Sequence, residues 1–252
     1  IYKGNLDTNK SNGDNVFGIN LKASSDLKYN WNMKLEAKYA DQETFMRRYG
    51  FDGDSRYKSY LELEKNNENS ISFIEIYNIQ NLDEKSSNNE PILAPSISHH
   101  IFNSSKKYNY DIKFKAHSIY NDEGYDIKRW SGIGKINKKL NLTNISLEAD
   151  TNIGLDLYSI QGRPSSDSND NRYVDRISSG FSVAASNQYG FINDESHFII
   201  EPKIQFNSVF SSDRTDEIPN RDSSEFKLDQ SNLFLNNQYQ GRDNIQRNDR
   251  IN

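Results

Sequence analysis

Tyr108, Tyr110, Ile112, Phe114 and Ala116 stand at every second position, with Asn109, Asp111, Lys113 and Lys115 between them. Successive side chains of a strand point to opposite faces, so this text writes one apolar face and one charged face. The pattern recurs along the chain. Phe17, Ile19, Leu21 and Ala23 alternate with Gly18, Asn20 and Lys22. Trp31, Met33, Leu35, Ala37 and Tyr39 alternate with Asn32, Lys34, Glu36 and Lys38. Ile145, Leu147 and Ala149 alternate with Ser146, Glu148 and Asp150. Phe198, Ile200, Ile204 and Phe206 alternate with Ile199, Glu201, Lys203 and Gln205. No comparable helical stripe is present, and the expected fold is all-β. Two segments are less clean. SISFIEIYNIQ, residues 70–80, carries apolar residues on both faces, so its outward face stays open. Pro202 sits inside an otherwise good strand and predicts a bulge or kink.

Such strands suit either a membrane barrel or a soluble sheet, and composition separates the two. Only 34% of residues are hydrophobic, yet 15 Tyr and 13 Phe are more than disordered chains carry. An apolar set that is small but rich in aromatics fits a wall one side chain thick around a polar lumen. The connections point the same way. Short turns fall near 26–29, 66–69, 103–107, 139–142 and 191–195, and longer polar links near 7–14, 50–56, 81–91, 161–175 and 210–230. If residues 30–49 form one long strand, short and long links alternate; the link at 121–124 takes a long place but is only moderate. Outer-membrane barrels alternate in this way, and a soluble meander has no reason to. The prediction is an antiparallel transmembrane β-barrel segment of about twelve strands, several longer than the roughly 10 residues a bilayer needs.

A charge facing lipid at the bilayer midplane costs about 2–4 kcal/mol, so the charged faces must look into a wet lumen. Lys34, Glu36, Lys38, Asp111, Lys113, Lys115, Glu148, Asp150 and Lys203 are the candidate lumen-facing residues. Lys113 and Lys115 share one face and have the chemistry to meet phosphates, although pairing with acids on neighbouring strands is the plainer role. A soluble β-rich carbohydrate-binding module with one solvated face and a passive outer-membrane porin or sugar channel are the alternatives.

Other classes find little support. Net charge is -5 with both signs interspersed, so no basic patch marks a nucleic-acid binder. There is no cysteine and no apolar run of helix-spanning length. The opening IYKGNLDTNK is no signal peptide, and the chain is expected to be an internal piece of a longer protein. His99 and His100 are adjacent on a predicted strand, point to opposite faces and cannot chelate together. His117 and His197 read as structural residues. Asp52 to Ser55, DGDS, lacks the later acids of a calcium loop and reads as a turn. Asn141-Leu142-Thr143 and Asn144-Ile145-Ser146 match glycosylation acceptors by form, as an Asn-rich chain often does by chance. No nucleophile elbow, phosphate loop or dinucleotide fingerprint occurs, and no catalytic residue, metal or cofactor is expected.

Two stretches carry more specific text. FMRRYGFDGDSRYKSYLELEKNNENSISFIEIYNIQNL occupies 45–82 and is followed by Pro91 and Pro95 in EPILAPSISHHIF. FIIEPKIQFNSVFSSDRTDEIPNRDSSEFKLDQSNLFLNNQYQGRDNIQRNDRIN occupies 198–252. Both resemble the barrel of the LPS-assembly outer-membrane family LptD, also called the organic solvent tolerance protein family. Arg48, Tyr49, Arg56, Leu61 and Leu63, with Glu62 or Glu64, match its earlier block. Glu201 and Pro202 open its later block. Ile218, Pro219, Asn220, Asp222 and Ser223 follow, then Asn232, Leu233 and Phe234, then Gly241 and Asp243, then Arg250 and Asn252. Blocks in this order are specific, whereas each by itself is weak. Arg221 stands where the family often has an acid, and Arg242-Asp243-Asn244 keeps the Gly-x-Asp-Arg text only in part.

The resemblance implies a closed barrel of about 26 antiparallel strands, to which this chain contributes the middle dozen. Residues 1–252 would then be part of one C-terminal barrel domain, with the N-terminal jellyroll and the remaining strands missing. Its edges would be unpaired, so an open curved sheet is expected. The implied function is transport of lipopolysaccharide into the outer leaflet of the bacterial outer membrane, a physical rather than enzymatic role. The implied partners are lipopolysaccharide, the plug lipoprotein LptE, outer-membrane lipid, and periplasmic LPS-bridge proteins through the missing jellyroll. Ile218 to Ser223 is expected to be an extracellular loop turn capping the barrel mouth, with Ser231 to Tyr239 as the strand returning into the membrane.

Overall fold

A computed structural model of the chain describes residues 10–11, 14–15, 17–41, 50, 56–81, 92–105, 108–120, 124–143, 145–163, 171–193, 196–225, 232, 234–235, 239–245 and 249–251. They contain seventeen β-strands and two short 3-10 turns, and no α-helix. β1 (Lys10–Ser11) and β2 (Asp14–Asn15) form a two-stranded ribbon. β3 (Gly18–Leu27) and β4 (Trp31–Ala40) are joined by η1 (Lys28–Asn30), where Tyr29 and Asn30 both have φ 62°. β5 (Arg56–Asn67), β6 (Ser70–Asn81), β7 (Ile92–Ser104) and β8 (Asn109–Tyr120) follow. Then come β9 (Gly124–Asn141), β10 (Ser146–Arg163) and β11 (Asn171–Ser186), each longer than a bilayer requires. β12 (Tyr189–Asn193) and β13 (Ser196–Ile200) form a hairpin, and β14 (Lys203–Ser211) returns to β11. η2 (Asp213–Glu217), β15 (Ser224–Glu225), β16 (Tyr239–Gln240) and β17 (Asp249–Ile251) complete the chain.

One antiparallel sheet holds eleven strands in the order β17-β14-β11-β10-β9-β8-β7-β6-β5-β4-β3. Apart from the step over the β12–β13 hairpin and the step to β17, each strand lies beside its sequence neighbour, as in a meander. The order is linear: β3 and β17 do not pair with each other among the described residues, so the sheet is not closed. Short and long links alternate much as the sequence predicts. Pro202 does interrupt its strand, since β13 ends at Ile200 and β14 starts at Lys203. Proline lacks the N–H that would continue the ladder, and its carbonyl accepts from Asn187 N at 3.3 Å.

By internal contacts the chain divides into two units. The first comprises Ile1–His100, Lys115–Trp130 and Ser159–Tyr173. Within it the β3–β4 and β4–β5 registers set Lys22 opposite Glu36 and Lys34 opposite Glu62. Met33, Leu35, Leu61 and Leu63 fall on the other face by the same registers. The β4–β5 ladder runs as far as Glu36, and side chains hold the rest of β4. Ser59 Oγ bridges Lys38 N (3.0 Å) and Lys38 O (2.9 Å), and the Gln80 amide bridges Ala40 N (3.1 Å) and Ala40 O (2.8 Å). These bonds answer backbone groups that a lapsed ladder would leave bare.

The second unit comprises Ile101–Phe114, Ser131–Tyr158 and Val174–Asn252. On one face of β10, β11 and β14, Ile153, Leu155, Leu157, Ile177, Phe181, Ile204, Phe206 and Phe210 are exposed. On the opposite face Asp156, Tyr158, Arg176, Ser178, Ser182, Gln205, Asn207 and Ser211 are buried. This is the inverse of a water-soluble sheet, whose exposed side is polar.

Candidate functional site

The buried polar face of the second unit is built from β10 and β11 outward. Alternation turns Gly154, Asp156 and Tyr158 of β10, and Arg176 and Ser178 of β11, to one side. Asp156 and Arg176 are both fully buried, and Arg176 is the largest such side chain among the described residues. Arg176 donates to Asp156 Oδ2 from Nε (3.2 Å) and from Nη2 (2.9 Å). Its Nη2 also donates to the Tyr158 hydroxyl at 3.2 Å. The rest of its fork reaches the loop between β14 and β17, with Nη1 to Asp243 O at 2.6 Å and Nη2 to the Arg242 carbonyl. Arg242 reaches back in the other direction. Its Nε donates to Asp156 Oδ1 at 3.0 Å and its Nη2 to Ser178 Oγ at 3.0 Å. One buried carboxylate thus holds two guanidinium groups, one from the wall and one from the loop. Gly154 permits this, because a β-carbon there would overlap the Arg242 guanidinium.

The loop itself is closed by a reciprocal clasp. Asp222 Oδ1 accepts the backbone N–H groups of Arg242 and Asp243, both at 2.9 Å. Asp243 Oδ2 accepts those of Arg221 (2.9 Å) and Asp222 (3.0 Å), while its Oδ1 accepts the Tyr158 hydroxyl at 3.1 Å. Ser223 Oγ accepts Asn244 N at 2.8 Å and donates to Asp222 Oδ1 at 3.1 Å. Asn220 shapes the turn: its Oδ1 accepts Ser223 N (2.9 Å) and its Nδ2 donates to Ser223 O (2.8 Å). Gly241 has φ +88° and its α-carbon lies against the Asp222 backbone, so only glycine fits. Ile218 and Ile245 are buried at the two ends of this text. Charge-assisted bonds of this kind are about twice as strong as neutral ones. Their chemistry here is retention: carboxylates and guanidiniums occupy one another, and the Ser223 and Tyr158 hydroxyls donate to carboxylates that also hold backbone N–H groups. No group of acids, histidines or cysteines able to hold a metal occurs among the described residues.

At the exposed rim, Arg214 of η2 donates to Glu217 Oε1 at 2.9 Å and Oε2 at 3.1 Å, and to Asp175 Oδ1 at 2.5 Å. The hydrogen bond to Glu217, with Coulombic help from Glu217 and Asp175, raises the guanidinium above its ordinary value. Glu201, next to the Pro202 break, is held below the usual carboxylate range by hydrogen bonds from Gln188 and Ser186.

The sequence-predicted residues fall into small groups. Lys34 pairs with Glu62 at 3.0 Å, while Glu36 takes Lys22 (3.0 Å) and Lys38 (3.1 Å). Asp111 lies 3.5 Å from Lys113, and Lys115 is exposed on β8. Asn137 joins Glu148 and Asp150, donating to each at 2.8 Å, and Lys203 lies 3.7 Å from Glu148. Of the motif residues, Ile218, Asn220, Asp222, Ser223, Gly241 and Asp243 belong to the clasp or its ends. Pro219 follows Ile218 into the same turn. Phe234 sits beneath the Lys203 ammonium, 5.0 Å from ring centre to nitrogen. Asn232 is buried, and Leu233 lies outside the described residues.

Of Ser231 to Tyr239, expected as a returning strand, only residues 232, 234–235 and 239 are described. Asn232 O accepts Leu235 N at 3.0 Å in a turn, Tyr239 pairs locally with Glu225, and the sheet resumes only at β17. Residues 231, 233 and 236–238 lie outside the described residues. Within the loop, Arg242 and Asp243 pack on the polar face of β10 and β11, because Asp156 and Arg176 need partners there. Asp156, Tyr158 and Arg176 are not singled out from the sequence, and Arg242 is named there only within a departure from the family text. The alternation Asn152, Gly154, Asp156 and Arg172, Val174, Arg176 is the signal that places the three strand residues on the polar face.

An antiparallel meander with an apolar exposed face, a charged opposite face and a loop latched onto the charged side defines a segment of β-barrel wall. The family model described as LPS transport system D matches residues 14–252, and the chain belongs to this LptD family of lipopolysaccharide transport. No curated protein matches it.

Proposed function

We propose that the chain is wall of an outer-membrane translocon that moves lipopolysaccharide from a periplasmic bridge into the outer leaflet. The observation that carries this reading is the two-faced sheet in a chain of the LptD family, with a family-motif loop latched to its charged face. The exposed apolar faces meet lipid. Lys34, Glu36, Lys38, Asp111, Lys113, Lys115, Glu148, Asp150 and Lys203 line the lumen. Carboxylates paired with lysines give that lumen fixed, hydrated charge of both signs, which suits passage of phosphorylated saccharide without a sink of one sign. The clasped loop narrows the lumen from within and fixes its bore beside β10 and β11. The plug lipoprotein LptE is a partner on the lumen side, and bridge proteins deliver substrate through a jellyroll on the full-length protein.

The test is photocrosslinking in the full-length protein with a photoreactive residue at Lys34, Lys38 or Lys113. Capture of lipopolysaccharide or of LptE is expected. Capture of bulk phospholipid acyl chains at these positions would overturn the facing assignment. Undisturbed lipopolysaccharide export on depletion, together with sugar-permeable liposomes, would make the protein a passive channel.

A further inference from the structure

The exposed apolar face of the second unit contains a furrow of about 560 Å³. Ile101, Tyr110, Ile112, Ile136 and Ile153 line it, and Gly134 forms its floor. The furrow opens where β9 carries glycine at an outward position, Gly134; Gly132 stands at the outward position before it. Neither glycine has a positive φ. A β-carbon at Gly132 would make ordinary contact with the Phe114 ring at 3.8 Å, and one at Gly134 would meet nothing within 4 Å. Backbone geometry and packing therefore do not demand glycine at Gly134. In a strand interior glycine is destabilising relative to alanine, and such glycines mark close approach by another group.

Charge fixes the level of the furrow. Asn137 turns to the polar face to meet Glu148 and Asp150, so its neighbours Ile136 and Lys138 project from the apolar face. Lys138 is exposed there, and a lysine on the apolar face marks the headgroup level. Gly134 lies about 13 Å along the strand inside that level.

Building on the wall reading above, we infer that this furrow is a binding site for one acyl chain of a phospholipid whose headgroup phosphate meets Lys138. Lysine at this level snorkels to the headgroups at little cost. The apolar lining takes the chain, and the ammonium selects for an anionic head.

The experiment uses the full-length protein in vesicles of phosphatidylcholine and phosphatidylglycerol, the latter bearing a photoreactive group midway along one acyl chain. Labelled peptides are mapped by mass spectrometry. The expected result is several-fold more label on residues 110–112, 134–136 and 151–153 than on Leu155, Leu157 or Phe181. Gly134→Leu, which fills open space, should remove that excess while leaving labelling elsewhere and heat-modifiable migration on gels unchanged. Lys138→Gln should reduce the excess for phosphatidylglycerol to that of labelled phosphatidylcholine. Even labelling along the face, or an excess that survives Gly134→Leu, would overturn the site and leave the wall reading intact. Absence of label at every exposed apolar position would overturn the wall reading itself.

Discussion

Arg176 and Asp156 show what a single buried pair can decide. Removing one partner leaves an uncompensated charge in a dry place, at a cost of about 3–5 kcal/mol. Arg176→Met and Asp156→Asn should therefore lower the thermal unfolding midpoint of the detergent-solubilised protein. They should also release hydrogen-exchange protection at residues 221–223 and 242–244, whose amides the clasp binds. Tyr158→Phe deletes the hydroxyl's bond to Asp243 and the one it accepts from Arg176, each about 1 kcal/mol, and should cost less than loss of the ion pair. Gly241→Ala should be as damaging as loss of the ion pair, since it combines an unfavourable φ with overlap of the Asp222 backbone. Equal, small effects from all four changes would show that the loop is not latched. Glu201 gives a separate, pH-dependent outcome. Its folded-state pKa is depressed, so its contribution is present above the unfolded value and is lost as pH falls through the folded one. Exchange at the Gln188 and Glu201 turn should quicken below the ordinary carboxylate range, and Glu201→Gln should abolish that dependence. The clasp was half legible in the sequence. Asp222, Gly241 and Asp243 announced themselves as ordered loop text, but their partners did not. Asp175 and Arg176 are neighbours with opposite charges, and sequence gives no sign that one is exposed while the other is fully buried.

At the level of elements, β9 and β10 measure the membrane. Leu155→Arg places a charge on the apolar face near mid-strand and should cost about 2–4 kcal/mol, whereas Lys138→Leu, near the headgroup level, should change stability by no more than about 1 kcal/mol. Urea titration of folding into bilayers reads both, and equal costs would mean that this face does not lie in lipid. The strands were the most legible part of the chain, because alternation sustained over ten or more residues matches the period of a strand and not that of a helix. The kink at Pro202 was legible for the same local reason, a missing donor. The strand expected at Ser231 to Tyr239 falls mostly outside the described residues, and Asn232 and Leu235 lie in a turn there. A short apolar run with β-propensity adopts whichever pairing tertiary contacts offer, and here β15 and β16 pair locally inside the loop.

Among the described residues the main sheet has a linear strand order that ends at β3 and β17. In hydrocarbon an unpaired edge leaves backbone groups bare, so the 252-residue chain expressed by itself should not give a heat-modifiable, closed barrel on gels. A folded band from the isolated chain would contradict this. The sequence by itself determined that the chain is a two-faced antiparallel meander, because period two is a property of the strand and needs no partner. It also carried the family, because ordered blocks of text survive without coordinates. Tertiary structure alone decided that Arg242 and Asp243 of the loop lie against the wall. That placement rests on Asp156 meeting Arg242 across 86 positions of sequence, and a contact of that range leaves no periodic trace in either segment.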